Sequence, residues 1–95
     1  MTDPEQIARW TRAENALRAA LTEMRPAVTA ETAAWVTDFL DHNELGVAMD
    51  TLLSSAIESE ATELPEDAVK HLRVASAEMD NYRGDDWDDF VSRFG

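Results

Sequence analysis

The side chains of this 95-residue chain with chemistry to offer are two histidines, a serine pair and twenty carboxylates. His42 and His71 belong to no metal-ligand spacing, neither His-Glu-x-x-His nor the Glu-x-x-His of di-iron bundles. His42 is expected at a helix C-terminus, where the macrodipole favours an imidazolium, and His71 at the edge of a helix. Ser54-Ser55 has no partnered base at a recognisable spacing. There is no cysteine, hence no thiolate nucleophile, thiolate metal site or disulfide framework. The only glycines are Gly46, Gly84 and Gly95, so no glycine-rich phosphate loop can form. Asp85-Asp86-Trp87-Asp88-Asp89 has the donors for a divalent cation but lacks the aspartate-glycine loop and closing glutamate of an EF-hand. These features predict a protein that is not an enzyme and that uses no metal and no cofactor.

The carboxylates are more informative as a field than as ligands. The net charge is −12, and it is unevenly spread. Residues 1–28 carry four acids and four bases; residues 29–63 carry eight acids and no base. No Lys or Arg occurs between Arg25 and Lys70. A field of one sign repels phosphate backbones and anionic lipid, which argues against direct nucleic-acid or membrane binding. It draws in basic proteins and speeds their association. The N-terminal residues have no basic region followed by an apolar run, and no apolar run is long enough to span a bilayer. The expectation is a cytoplasmic protein, a monomer or weak dimer, whose partner is a protein.

The elements that must position this charge are helices. Asp3-Pro4-Glu5-Gln6 is a helix start, with Asp3 to cap and Pro4 at the first helical position. Ile7, Trp10, Leu17, Leu21 and Met24 then give one apolar stripe, with Glu14 at its edge, and Pro26 breaks the helix. Thr29 can cap a second helix that carries Trp35, Val36, Phe39 and Leu40 inward. Its acids Glu31, Asp38 and Asp41 share another face. Asp41-His42-Asn43-Glu44 makes a polar corner. The third helix buries Leu45, Ala48, Met49, Leu52 and Leu53 and presents Asp50, Ser54 and Glu58 as a polar line. Gly46 and Ala48 are small enough to let two helices approach. An acidic connector over 59–63 leads to a fourth helix starting at Leu64-Pro65, with Tyr82 at the end of its apolar stripe and Gly84 as its stop. Trp87, Phe90, Val91 and Phe94 fall on one face of a short last helix. No strand pattern competes. The fold class is all-α, a compact bundle of four helices plus a short C-terminal helix, in one domain spanning 1–95. The helices are expected at about 4–24, 30–41, 44–57, 65–81 and 86–93.

The corner from Phe39 to Leu52, Phe-Leu-Asp-His-Asn-Glu-Leu-Gly-Val-Ala-Met-Asp-Thr-Leu, resembles the MafI-like immunity family, small helical proteins of bacterial polymorphic toxin systems. The Leu64-Pro65 helix start fits that family's layout, and the likeness covers about residues 30–80. This chain departs from the pattern at Leu45, where an aromatic residue is expected, and the acidic tail after Gly84 lies outside the likeness. The resemblance implies a cytoplasmic immunity protein that binds and neutralises a cognate basic toxin domain, often a nuclease. The charge pattern points the same way, since a nuclease is basic to hold an anionic substrate. Asp38, Asp41, Glu44 and Asp50 are the candidate partner-binding residues. The same corner also resembles the helix pair of a tetratricopeptide unit, which implies an adaptor binding a peptide or protein. The 34-residue self-similarity of such arrays is absent.

Overall fold

The computed structural model describes residues 3–59, 63–82 and 84–95. Its elements are α1 (Pro4–Glu23), a 3₁₀ turn (Arg25–Ala27), α2 (Ala30–Asp41), α3 (Leu45–Glu58), α4 (Glu66–Glu78) and α5 (Trp87–Phe94). Among the described residues all regular structure is helical, so the fold is all-α, as the sequence predicts.

The helix starts follow from local chemistry. Asp3 accepts the Glu5 N–H at 2.9 Å, and Pro4 opens α1 where its missing N–H costs nothing. Thr29 Oγ1 accepts the Thr32 N–H at 3.1 Å at the start of α2. α1 ends at Glu23, within a residue of the expected 24, and Pro26 lies in the 3₁₀ turn that follows, an element absent from the sequence reading.

The ends of α2 and α4 are Schellman-type, built without glycine. After α2, Asn43 takes φ 60° and the Glu44 N–H returns to the Phe39 carbonyl at 2.8 Å, while the Asn43 N–H reaches Leu40 at 3.1 Å. Asparagine tolerates that backbone because its short polar side chain bonds locally. After α4, Asp80 and Asn81 are both left-handed, at φ 58° and 64°, and the Asn81 N–H bonds the Ser76 carbonyl at 2.8 Å. This corrects the expected helix over 65–81. It starts at Glu66 and ends at Glu78, with Met79 as its cap, so Gly84 is not its stop and Tyr82 is not on its stripe. The 59–63 connector lies largely outside the described residues.

Helix α1 lies along α4, and α2 folds back along α3; α1 also touches α2 and α3, and α5 covers α3. The long α1–α4 contact is lined with small residues. Ala13 and Ala20 on α1, and Ala68 and Ala75 on α4, are completely buried. Larger side chains fill the centre: Leu17, Leu40, Met49, Leu52 and Phe90. Among the described residues, the buried apolar side chains other than Ala27 form one cluster. No described helix is long and apolar enough to cross a membrane.

Two expected core positions are overturned. Ile7, at the free start of α1, is 50% exposed. Trp35 is 54% exposed. The buried stripe of α2 is Ala33, Val36 and Leu40, complete without the tryptophan. Trp35 instead stands with Glu31 and Asp38, at i, i+4 and i+7, on the acidic stripe.

Candidate functional site

The α2–α3 hairpin presents an open groove of about 450 Å³ between its helices. Trp35 and Phe39 line it from α2, and Val47 and the Asp50-Ser54-Glu58 line from α3. Asp86, at the start of α5, lines it as well. Among the described residues, the groove lining holds three carboxylates and no Lys, Arg or His. Trp35 and Val47 are the exposed apolar surface here, at 54% and 47%. The acidic line Asp50-Ser54-Glu58 was legible as a helix face; its apolar counterpart across the groove was not.

The four sequence-predicted site residues do not form one free patch. Asp38 is exposed, and its side chain lies 3.5 Å from His42 Nδ1. That nitrogen is also 2.8 Å from the Asp38 carbonyl. This backbone bond, and then the Asp38 charge, raise the His42 pKa above its ordinary 6.5, with smaller contributions from Glu44 and Asp41. The histidine therefore sits at the C-cap of α2, as its place at a helix end predicts.

Asp41 faces α1. Arg18 Nη2 donates to its Oδ1 at 2.8 Å, and Arg18 Nε donates to Glu14 at 3.0 Å. A hairpin without a Lys or Arg of its own thus receives an arginine from α1. The bond to Asp41 first, and then that to Glu14, hold Arg18 more firmly in its charged form. Glu44 occupies the N-cap position of α3, makes no side-chain capping bond, and is exposed.

Asp50 is committed within the fold. Its Oδ2 accepts the Tyr82 hydroxyl at 2.7 Å. Its other oxygen lies against Gly84, whose φ is +76°, so close that a Cβ there would collide with it. The Tyr82 ring lies over Gly46, where an added Cβ would meet Cζ at 3.4 Å. A methyl at Gly46 would thus make an ordinary van der Waals contact with an aromatic ring from the α4–α5 connector. Hydrogen bonding to Asp50, then burial and the charges of Asp50 and Asp85, push the Tyr82 pKa to about 12.

Among the described residues, three further arginines pair away from the groove. Arg9 bonds Asp80 at 2.9 Å and Arg12 bonds Glu78 at 3.0 Å, tying α1 to the end of α4. Lys70, Arg73 and Arg93 line a separate cleft between α4 and α5, together with Glu63 and Glu66. Among the described residues no three His, Asp or Glu side chains converge as a metal-ligand group. Of the Asp85–Asp89 run, Asp89 pairs with Arg93 at 3.2 Å. Sequence reasoning missed Trp35, Val47 and Asp86 as surface residues of the site. The available signal was the helical spacing of Trp35 with Glu31 and Asp38, which competes with its equally helical spacing with Val36, Phe39 and Leu40.

Comparison of this chain with protein-family models, with curated proteins and with solved structures finds no match.

Proposed function

We propose that this chain is an immunity-type inhibitor that captures a basic toxin domain through the acidic face of its α2–α3 hairpin. The observation that carries the reading is the groove whose lining combines Trp35 and Val47 with Asp50, Glu58 and Asp86 and, among the described residues, includes no basic side chain. Carboxylates around it speed encounter with a basic partner, and an exposed aromatic supplies the area that holds one. Asp38 and Glu44 extend the same charge toward the corner. On this reading the chain has no reaction of its own and acts in the cytoplasm.

The test is capture of a partner from a lysate of the source cells, washed at low and then high salt. The expected result is one basic protein, retained stoichiometrically and partly released by salt. Reversing Asp38, Glu44 and Glu58 to Lys should abolish capture with the helical signal intact, because all three side chains are exposed and the pairing of Asp38 with His42 is a surface contact worth little to the fold. Asp41 and Asp50 are left alone, since they bond Arg18 and Tyr82. Undiminished capture by the triple variant would sink the reading. Recovery of several unrelated proteins through extended peptides would favour the tetratricopeptide-like adaptor instead.

A further inference from the structure

We propose that the groove between α2 and α3 is a docking slot for an arginine of the partner protein, its guanidinium stacked on Trp35 and its charge met by the surrounding carboxylates. The proposal rests on the reading of the hairpin as the surface that meets a basic protein, and it names the chemistry of the contact.

Three observations lead there. Trp35 is 54% exposed although α2 completes its core stripe without it, so the ring is not held by packing in the interior. The indole shares its helix stripe with Glu31 and Asp38 and faces a groove lined by Asp50, Glu58 and Asp86. An electron-rich ring ringed by negative charge attracts a cation to its face. Asp50 already accepts the Tyr82 hydroxyl, which leaves Glu58 and Asp86 as the carboxylates to pair with an incoming charge.

The preference for arginine over lysine follows from the cation. A guanidinium is planar, weakly hydrated and able to stack on the indole while donating hydrogen bonds in its own plane to carboxylates. An ammonium is a compact, strongly hydrated point charge that loses more on leaving water. A second copy of this chain is a poor occupant. Two such grooves face to face would oppose their carboxylates, and each chain carries a net charge of −12.

The test uses the full chain with two probes of equal charge, hexa-arginine and hexa-lysine, at low salt. Binding is followed by titration and by the NMR signal of the Trp35 indole N–H, identified among the three tryptophans by its loss in Trp35→Phe. Hexa-arginine should bind roughly tenfold tighter than hexa-lysine and shift the Trp35 signal. Trp35→Ala should bring the two affinities together, and Glu58→Gln with Asp86→Asn should weaken hexa-arginine further. Equal affinities with an unmoved Trp35 signal would overturn the slot, leaving only diffuse charge. A dimer of the chain that dissociates on Trp35→Ala would overturn it in favour of self-association. Loss of partner capture in the Asp38, Glu44 and Glu58 reversal, with capture unchanged in Trp35→Ala, would overturn the slot and leave the inhibitor reading standing. A Trp35-dependent arginine preference in a chain that captures no basic partner would uphold the slot and sink the inhibitor reading.

Discussion

The Tyr82 hydroxyl donates to Asp50 Oδ2 at 2.7 Å across a sequence separation of 32 residues. The bond ties the α4–α5 connector to the middle of α3. The connector is also held by Ser76, whose Oγ donates to the Tyr82 carbonyl at 2.7 Å and whose carbonyl takes the Asn81 N–H. Tyr82 is thus the point where the end of one helix is fastened to the wall of the groove, through a residue the sequence reading placed on the binding surface.

The fastening is visible in a titration. Tyr82 is the chain's only tyrosine, so its ionisation can be followed by ultraviolet absorbance alone. The midpoint should lie at about 12 against an ordinary 10, because the neutral phenol is the form that donates to Asp50. A raised folded value means that the contribution to stability is fully present below pH 10 and is lost as pH rises through about 12. Asp50→Asn should bring the midpoint down toward 10, since it removes the charged acceptor and its field. A wild-type midpoint near 10 would mean that the bond does not hold in solution.

Two glycines around this bond should respond in opposite ways. At Gly84 a Cβ meets the Asp50 carboxylate and a left-handed backbone that L residues resist, so Gly84→Ala should destabilise by more than about 1 kcal/mol. At Gly46 the new methyl meets the Tyr82 ring at 3.4 Å, an ordinary contact, on a helical backbone. Gly46→Ala should be neutral or stabilising by up to about 1 kcal/mol. Urea unfolding of both variants checks the pair, and a similar loss in each would contradict this account of the connector.

Most of the fold was legible because helix starts are local. Asp3-Pro4 and Thr29 announce α1 and α2 through their own side chains, and Pro26 stops α1 by lacking an N–H. The end of α4 was misread because two polar residues, Asp80 and Asn81, do the work assigned to Gly84, and glycine is the stronger signal in a sequence. The candidate site was legible in its charge and not in its pairing. Arg18 reaches Asp41 across 23 residues, and Tyr82 reaches Asp50 across 32, and no spacing rule carries such distances. Trp35 was misplaced because it shares an i, i+1, i+4, i+5 face with Val36, Phe39 and Leu40, while the buried stripe is centred one position further round, on Ala33, Val36 and Leu40.

The two aromatic residues Trp35 and Phe90 should separate core from surface. Phe90 is fully buried, on the helix that covers α3. Phe90→Ala should cost about 3–5 kcal/mol. A domain of this size has only about 5–14 kcal/mol in all, so the variant should be largely unfolded on modest heating. Trp35→Ala, at an exposed position in a helix, should stay within about 0.5 kcal/mol of the parent. Thermal unfolding followed by circular dichroism distinguishes them. A loss at Trp35 comparable to that at Phe90 would return the indole to the core and remove the basis of the groove.

His42 should titrate above 6.5, because its Nδ1 lies 2.8 Å from the Asp38 carbonyl and carboxylates surround the corner. The proton is favoured by the folded chain. Its contribution to stability is therefore present below about pH 6.5 and fades as pH rises through the higher folded midpoint. Imidazole proton shifts followed by NMR give that midpoint directly. Asp38→Asn offers a sharper check, since it removes the side-chain charge but keeps the backbone carbonyl. The midpoint should fall only part of the way to 6.5, as the backbone bond is the larger cause of the shift. A complete return to 6.5 would make the carboxylate, and not the helix-terminal carbonyl, the group that holds the imidazolium at the corner.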